Sequence, residues 1–441
     1  MFQKLLTDEF QLEDYQLKGI KYALKHHYSI NASGLGTGKT LMGLTTAFFH
    51  QSKIDKFPVL IVVPACVRHN WEKEIHKFSA TPKKVVQLKT AKVEESDFAI
   101  CTYNYLRTKY KALKGKFRMV IFDEAHALKN ITTKITLVAH EFLEREKFDL
   151  ALFLTGTPIK NKIPELYSLL CLCAYNPRMT SGVDVIDEYS YYEFANRFCF
   201  VTKKRIRSVT KKRTRRVRYI KQYYGLKNKP LLKTLLRDKF FRTSSEILGL
   251  DKPIIEYVEV DFAKDSELVD AWQGFNKGKG KDSAVKREAA VFQAKYTKGY
   301  VNELISSGHS PVVVFTDHIE SAEIISKGIK GECRFITGEV SDNIRDASVD
   351  LFQKGELDAI VLTYGTSSTG INLQNGNQMV LNDLPWVPED LTQAMARIRR
   401  KGQQKQCFYH IITGGKMAKY IQENILNPKK KTLEAFYGNT K

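Results

Sequence analysis

Residues 34–40 read GLGTGKT, a glycine-rich turn that ends in a lysine and a threonine. Its three alternating glycines allow successive backbone N–H groups to point at phosphate oxygens where a helix begins. Lys39 is then expected to reach the β- and γ-phosphates of a nucleotide, and the Thr40 hydroxyl to bind Mg²⁺. The strict phosphate-loop spacing asks for one more glycine at position 33, where this chain has Ser33. A glycine-rich turn that only caps a helix is the alternative.

An acidic pair follows an apolar strand in the segment VIFDEAHALKN at 120–130. Open α/β sheets place their ligands at the carboxyl ends of strands, which is where Asp123 and Glu124 are expected. Nucleotide hydrolysis needs one carboxylate for Mg²⁺ and a second one to orient or deprotonate the attacking water. A simple helix cap is the alternative, but the phosphate loop upstream favours the hydrolytic interpretation.

The charge balance of the chain points to a polyanionic partner. Its 441 residues include 70 Lys and Arg against 48 Asp and Glu, a formal net charge of +22, and nucleic acid is the first candidate. The longest apolar runs, such as PVLIVVPACV at 58–67, are far shorter than the ~20 residues of a spanning helix, so no membrane contact is expected. The N-terminus does not have the pattern of a secretory signal. We therefore expect the protein inside a cell, in the cytoplasm or nucleoid of a bacterium or phage-infected host, or in the nucleus of a eukaryote.

Short apolar strands alternate with helical stretches, which is typical of an open, mostly parallel α/β sheet. The predicted strands form an early and a late group: Val59–Val63, Phe98–Thr102, Met119–Phe122, Leu152–Thr155, Val312–Thr316, Arg334–Thr337, Ala359–Thr363, Met379–Leu381 and Cys407–Ile412. Between the groups the strand pattern fades. The expected domains are an N-terminal lobe over 1–170, a helical and basic insertion over 171–250, and a C-terminal lobe over 251–441.

Four segments, in this order along the chain, resemble motifs of the superfamily 2 helicase-like ATPases, and specifically of their Swi/Snf-type DNA translocase branch. They are GLGTGKT at 34–40, DEAH at 123–126, LTGTPIKN at 154–161 and QAMARIRRKGQ at 393–403. Further family-like blocks extend the resemblance over most of the chain, at 12–22, 59–75, 100–106, 312–318, 363–374 and 382–394. The resemblance implies two RecA-like lobes with parallel sheets and a cleft between them, and ATP and Mg²⁺ as cofactors.

The resemblance also implies roles for single residues. Gln16 would contact the adenine, His126 would couple the ATP site to the second lobe, and the arginines of the last motif would reach the γ-phosphate. The residues assigned in this way to ATP and Mg²⁺ are Gln16, Gly36, Gly38, Lys39, Thr40, Asp123, Glu124, His126, Gln393, Arg397 and Arg400. Among them the expected catalytic residues are Lys39, Asp123, Glu124, Arg397 and Arg400, and the expected Mg²⁺ ligands are Thr40 and Asp123. The spacing of the two arginines also fits a solvated helical face.

Family-like blocks away from the nucleotide imply contacts to DNA. The residues expected to make them are Arg68, Thr102, Thr363, Gly370 and Trp386. The chain departs from many relatives at Ser367 and Ser368, where two glycines are common, and this predicts a looser backbone approach to phosphate or hydroxyl donors in its place. No protein-interaction module is visible, and we expect a monomer.

The insertion contains KKRIRSVTKKRTRRVRY at 203–219, a strongly basic stretch without an acidic residue. Its alternation of charged with apolar or hydroxyl residues predicts a β-hairpin near 203–221, and a disordered charged loop is the alternative. In a hairpin, phosphates would be contacted by Arg213, Arg215, Arg216 and Arg218, and bases would stack on Tyr219, Tyr223 and Tyr224. The flanking segments YYEFANRFCF at 191–200 and RDKFFRTSSEIL at 237–248 resemble fork-remodelling, annealing-helicase members of the branch.

Together these patterns favour an ATP-dependent translocase on duplex or branched DNA, such as forks and four-way junctions. Fork regression and branch migration in replication, recombination or repair are the expected activities. A strand-separating DNA or RNA helicase is the alternative within the same enzyme class. A nucleotide-gated DNA-binding module with little turnover is an alternative from another class.

Overall fold

The computed structural model describes residues 1–54, 57–88, 93, 95–175, 189–209, 215–260, 282–414, 419 and 421–437. The chain forms two compact units, one of Met1–Ser245 together with Lys431–Lys441, the other of Glu246–Lys430. The units therefore divide the chain at Ser245, and the predicted boundaries at 170 and 250 differ from this division. None of the described helices is long and apolar enough to cross a membrane.

A parallel sheet forms the centre of the first unit. The strands of this unit are β1 (Tyr28–Asn31), β2 (Val59–Val63), β3 (Val85–Gln87), β4 (Phe98–Thr102), β5 (Met119–Asp123), β6 (Leu150–Leu154), β7 (Phe200–Val209), β8 (Arg215–Tyr224) and β9 (Phe240–Phe241). All except β7 and β8 pair in parallel, in the order β3-β4-β2-β5-β6-β1-β9. The helices are α1 (Asp14–His26), α2 (Lys39–Gln51), α3 (Arg68–Phe78), α4 (Tyr103–Lys109), α5 (Lys134–Glu146), α6 (Glu165–Ala174), α7 (Tyr191–Phe198) and α8 (Lys229–Leu236).

The central strands are apolar throughout because both faces of the sheet are covered. Every residue of β2 is buried. Leu60 and Val62 belong to one core cluster, whereas Val59, Ile61 and Val63 belong to a second one. Successive side chains of a strand point to opposite faces, so the two clusters are the two sides of one sheet.

The second unit is built in the same way around six parallel strands. They are β10 (Ile254–Val260), β11 (Val312–Thr316), β12 (Cys333–Ile336), β13 (Ala359–Thr363), β14 (Gln378–Leu381) and β15 (Phe408–Gly414). Their order is β10-β15-β14-β11-β13-β12. The helices of this part of the chain are α9 (Asp282–Ser306), α10 (Ile319–Gly328), α11 (Asp342–Lys354), α12 (Pro388–Met395) and α13 (Asn427–Tyr437). The predicted fold class, parallel sheets in two lobes, is confirmed.

The insertion belongs to the first unit because its apolar side chains complete that unit's core. Phe194 and Phe198 of α7, and Leu232 of α8, lie in the same cluster as residues of the central sheet. Phe436 of the C-terminal helix α13 joins this cluster too. Strand β9 extends the sheet by pairing with β1. These tertiary contacts explain why the chain does not divide at 170.

Strands β7 and β8 form a separate antiparallel hairpin in which Phe200 pairs with Tyr224 and Val209 with Arg215. The hairpin covers the segment for which the charge pattern predicts one. The residues between the strands, 210–214, lie outside the described part of the chain. The base of this two-stranded ribbon adjoins the core of the first unit, since Cys199 belongs to that core and Tyr223 packs against it.

Candidate functional site

The GLGTGKT segment connects β1 to α2 as a tight loop. Gly36 and Gly38 adopt φ values of 78° and 79°, a left-handed conformation that glycine tolerates far better than other residues. Gly38 is the N-cap of α2, so the unpaired N–H groups of the helix start face the position of a bound phosphate. Lys39 Nζ lies 3.0 Å from Ser33 O and 3.1 Å from Gly34 O. The loop therefore has the geometry of a phosphate cradle with its lysine at the rim.

Ser33, the departure from the strict spacing, anchors the loop. Its buried hydroxyl accepts a hydrogen bond from the Thr243 N–H at 3.1 Å, and Gly34 N–H donates to Thr243 O at 2.8 Å. A Cβ atom on Gly34 would lie 2.6 Å from the backbone nitrogen of Ser245. The segment after β9 thus packs directly against the phosphate loop, and the serine supplies a hydrogen bond that glycine cannot make.

Asp123 stands at the carboxyl end of β5, and its carboxylate is held from two sides. Trp71 Nε1–H donates to Oδ2 at 2.7 Å, and Glu124 N–H donates to Oδ1 at 2.9 Å. The Tyr103 hydroxyl donates to the backbone carbonyl of Asp123 at 2.7 Å. Burial raises the pKa of Asp123, the Glu124 carboxylate raises it further, and the nearby ammonium of Lys39 opposes both effects. Asp123 is thus a fixed, partly buried carboxylate within electrostatic reach of the phosphate-loop lysine.

Glu124 adopts φ 47° and ψ 49°, a left-handed conformation that costs a residue with a side chain roughly 1–2 kcal/mol. Its Oε2 lies 3.0 Å from His126 Nδ1, and this nitrogen lies 3.4 Å from the Thr155 hydroxyl. Thr155 also accepts the N–H of Thr157 at 3.1 Å. A chain of polar contacts therefore connects the acidic pair with the LTGTPIKN segment after β6.

The Gln16 side chain contacts the phosphate loop directly. Its Oε1 accepts the Glu13 N–H at 3.0 Å to complete the cap of α1, and its Nε2 donates to Thr37 O at 3.1 Å. A Cβ atom on Gly38 would lie 2.5 Å from this amide nitrogen. The side chain thus helps to shape the loop, and its contact with adenine stays a prediction.

In the second unit, α12 ends at Met395, so Arg397 and Arg400 lie in the turn after the helix. The alternative of a solvated helical face does not describe them. Arg397 Nη1 lies 3.4 Å from Ile371 O. On α12, both polar side-chain atoms of Gln393 are buried, and neither has a hydrogen-bond partner among the described residues. An unsatisfied buried amide costs about 1–3 kcal/mol per group, which a ligand contact would relieve.

The residues at the loop fit a nucleotide with Mg²⁺. Thr40 and Asp123 offer a hydroxyl and a carboxylate, the hard oxygen donors that Mg²⁺ prefers. Gly156, which follows β6, leaves space beside the Lys39 ammonium, since a Cβ atom there would lie 3.3 Å from Lys39 Nζ.

Comparison with known families assigns both units. The SNF2-related domain matches residues 15–194, and the helicase conserved C-terminal domain matches residues 297–402. The chain belongs to the Swi/Snf-type branch of the superfamily 2 helicase-like ATPases. The predicted family and the enzyme class that it defines are therefore confirmed.

Several relatives in this branch match nearly the whole chain. The chain is 26% identical to the Drosophila melanogaster SWI/SNF-related matrix-associated actin-dependent regulator of chromatin subfamily A-like protein 1, over 96% of this chain and 55% of the relative. It is 25% identical to the Mus musculus DNA annealing helicase and endonuclease ZRANB3, over 95% of this chain and 40% of the relative. The chain thus spans about half the length of the curated relatives it matches. A solved Sulfolobus solfataricus SWI2/SNF2 ATPase core in complex with dsDNA is similar with a TM-score of 0.44 and 22% identity, over 94% of this chain and 90% of that one.

The residues predicted to contact DNA lie at or near the carboxyl edges of the two sheets. In the first unit, Arg68 begins α3 shortly after β2, and Thr102 ends β4. In the second unit, Thr363 ends β13, and Gly370 follows a 3₁₀ turn with φ 74°. Thr102 also caps α4, because its hydroxyl accepts the Tyr105 N–H. These four residues therefore lie at or near strand ends of their own sheets, and their contacts to DNA stay a prediction.

Trp386 lies against the core of the second unit, in contact with a buried cation. Lys286 Nζ stands 5.2 Å from the centroid of its ring. The same ammonium pairs with Asp317 and lies 3.7 Å from Asp383 Oδ2. An internal lysine thus balances these two carboxylates and fixes the surroundings of Trp386.

For three of the four hairpin arginines that are predicted to contact phosphates, the structure describes only the backbone. The side chains of Arg215, Arg216 and Arg218, like those of Ser367 and Ser368, lie outside the described part of the structure, as does Arg213 altogether. Tyr219 and Tyr224 are 65% and 53% exposed, and their stacking on bases stays a prediction. Tyr223 instead packs against the core of the first unit and is only partly exposed.

Sequence reasoning missed two groups of residues at the nucleotide site. Trp71 and Tyr103, which hold Asp123, lie far from it in the chain. They fall in the family-like blocks at 59–75 and 100–106, but nothing in those blocks indicates a contact with Asp123. Arg242 donates to Ala32 O at 3.3 Å, beside the phosphate loop, and its guanidinium lies 3.4 Å from the ring centroid of Tyr437 in α13. Burial lowers the pKa of Arg242. The C-terminal helix thus supports the loop through one partly buried arginine.

Proposed function

We propose that this chain is an ATP-dependent DNA translocase that remodels branched DNA by fork regression or branch migration. The observation that carries the proposal is a basic hairpin built into the unit that contains the phosphate loop. The similarity to a relative named as a DNA annealing helicase and endonuclease supports the same activity.

ATP chemistry is proposed to run through the residues of the phosphate loop and the acidic pair. The N–H groups at Gly38 and the Lys39 ammonium hold the β- and γ-phosphates. Thr40 and Asp123 hold Mg²⁺, which neutralises charge on these phosphates when it is bound. Glu124 orients the attacking water and takes up its proton. The contact with His126 holds the Glu124 carboxylate in place for this step.

The arginines of the second unit are proposed to complete the reaction. The guanidinium groups of Arg397 and Arg400 suit the growing charge of a phosphoryl transition state, because they stay charged and offer several donors. Gln393 is proposed to contact the nucleotide through its buried amide. Binding and hydrolysis of ATP would then switch the protein between two states that differ in their affinity for DNA. Alternation between these states converts hydrolysis into directed steps along the DNA.

The charge pattern of the hairpin supports binding to a phosphate backbone. No acidic residue occurs between positions 200 and 224. Lys203 stands directly opposite Lys221 in the antiparallel register, and both side chains are exposed. Like charges in directly opposite positions destabilise a strand pair. A phosphate between the two ammonium groups would remove this repulsion, so the free hairpin is prepared for a polyanion.

Neutralising Arg213, Arg215, Arg216 and Arg218 together should flatten the salt dependence of duplex binding, by about 0.9 in log–log slope for each phosphate that these arginines neutralise in the wild type. Processing of forked and four-way DNA should fall more than duplex-stimulated ATPase. Fluorescence anisotropy over a series of salt concentrations measures the slope. A matched control neutralises four exposed lysines of the second unit, Lys295, Lys327, Lys330 and Lys354. Equal losses of activity on linear and branched DNA would show that the hairpin binds DNA without preference for branches.

The positioning of Asp123 yields a separate prediction. Trp71→Phe removes the indole N–H but keeps an aromatic ring in the buried site, so the Mg²⁺ concentration needed for half-maximal nucleotide binding should rise roughly tenfold. Titration of a fluorescent ATP analogue with Mg²⁺ measures this shift. Tyr103→Phe is the control, because its hydroxyl donates to the backbone carbonyl of Asp123 and not to the carboxylate. An unchanged Mg²⁺ requirement in Trp71→Phe would show that the indole does not position the metal ligand.

ATPase rates measured side by side with single-stranded, linear duplex, forked and four-way DNA test the proposed substrate class. We expect the forked and four-way substrates to stimulate hydrolysis most. Equal stimulation by all four would remove the preference for branches, and stimulation by single-stranded DNA alone would favour a strand-separating helicase.

A further inference from the structure

Two aromatic side chains form a fixed pair at the base of the hairpin. Phe200 and Tyr224 stand opposite each other in register, with ring centroids 5.8 Å apart and an interplanar angle of 33°. Gly225, with φ +63°, lies behind the pair, and a Cβ atom there would come within 3.0 Å of Phe200 Cδ2. The ring edge therefore rests against bare backbone, which limits its movement.

This pair points away from the protein core. Side chains alternate between the two faces of a strand. Tyr223, which directly precedes Tyr224 in β8, packs against the core of the first unit. Phe200 and Tyr224 consequently occupy the opposite face. Their side chains are 48% and 53% exposed, so about half of each ring is open to solvent.

The charges around the pair select the kind of molecule that it can bind. Lys204 lies on the same face of the hairpin as Phe200 and is exposed, whereas Lys203 and Lys221 are exposed on the opposite face. The hairpin strands contain no acidic residue. Aromatic rings with a cation on the same face suit a strand whose bases stack on the rings while its phosphates contact Lys204. The base faces of a duplex are covered by their neighbours in the stack, so only unpaired bases offer a free face to a ring.

The geometry points to Phe200 and Tyr224 as a stacking platform for unpaired bases of a DNA strand. This inference rests on the proposed function, since it gives the hairpin a single-stranded segment at the branch point as its ligand. Lys204 and the other cations of the hairpin then supply the electrostatic part of binding, and the platform supplies a part that depends on the bases and hardly on salt.

The test compares two forked DNAs whose single-stranded arm carries either normal bases or abasic sites at the same number of phosphates. Binding is measured by fluorescence anisotropy without ATP. The wild-type protein should bind the arm with bases on the order of tenfold more tightly. The double variant F200L/Y224L should lose most of this preference while its salt dependence stays unchanged, because no charge is removed.

Two controls keep the test specific. Tyr192→Leu changes a tyrosine of α7 that is 66% exposed outside the hairpin, and it should behave as the wild type. Tyr224→Phe keeps the aromatic ring and should retain the preference even if the double variant is unstable. Equal affinity of the wild-type protein for both arms would overturn the inference, as would a preference that persists in the double variant. A third outcome would be equal binding of both DNA arms together with binding of a poly(Glu,Tyr) peptide that the double variant loses. That outcome would identify an acidic protein as the ligand instead.

Failure of the platform and failure of the proposed function give different results. A protein whose ATPase is not stimulated by DNA contradicts the translocase, whatever the abasic comparison shows. A stimulated ATPase with equal affinity for the two arms contradicts only the platform.

Discussion

Glu124→Gln should abolish ATP hydrolysis and leave ATP binding close to that of the wild type. The amide keeps the size of the side chain but cannot take a proton from water, and Glu124 has no proposed contact with the nucleotide itself. Lys39→Ala should also abolish hydrolysis, and in addition it should weaken ATP binding strongly because it removes the positive charge at the phosphates. Steady-state phosphate release with DNA present and equilibrium binding of a fluorescent ATP analogue measure the two effects.

Comparison of the two variants separates a defect in the chemical step from a defect in ATP binding. Loss of turnover alone is compatible with any damage to the site, whereas intact binding in Glu124→Gln localises the defect to the chemical step. Near wild-type turnover in Glu124→Gln would show that the acidic pair is wrongly assigned.

Arg400→Ala should lower kcat by about 10² or more while ATP binding to the first unit is preserved. The reason is that the proposed contact forms only as charge develops on the transferred phosphoryl group, so its loss affects the transition state more than the bound ground state. Single-turnover hydrolysis and equilibrium ATP binding separate the two. Lys401→Ala, which removes the neighbouring exposed cation, is the matched control.

Wild-type turnover in Arg400→Ala would remove this residue from the catalytic role, and a comparable loss in Lys401→Ala would indicate a general electrostatic effect. The structure makes the experiment informative because Arg400 follows the end of α12. Substitution there does not interrupt a helix.

The strands of the sheet centres could be predicted because burial on both faces leaves a continuous apolar run. Val59–Val63, Phe98–Thr102, Val312–Thr316 and Ala359–Thr363 are observed with their predicted bounds. Edge strands lack this signal. β10, with the sequence IIEYVEV, is largely exposed and is not predicted, nor are the edge strand β3 and the short β9, which depends on pairing with β1. The buried strand β1, Tyr28–Asn31, is not predicted either, because its four residues YSIN form no continuous apolar run.

The site was predictable where residues are neighbours in the chain, as in the phosphate loop and the acidic pair. It was not predictable where distant segments meet. Trp71 reaches Asp123 across 52 positions, and Arg242 reaches Ala32 across 210. The sequence also could not distinguish an arginine on a helical face from one in a turn, because the spacing of Arg397 and Arg400 fits both.

The central claim is that ATP hydrolysis by this chain drives the rearrangement of branched DNA. The most direct test is the conversion of a model replication fork with homologous arms into its two regressed duplex products, followed on a native gel. The account predicts that the wild-type protein with ATP and Mg²⁺ produces both duplexes and that Glu124→Gln, which still binds ATP, produces neither. Release of single strands in place of the regressed duplexes, or equal conversion by Glu124→Gln, would contradict it.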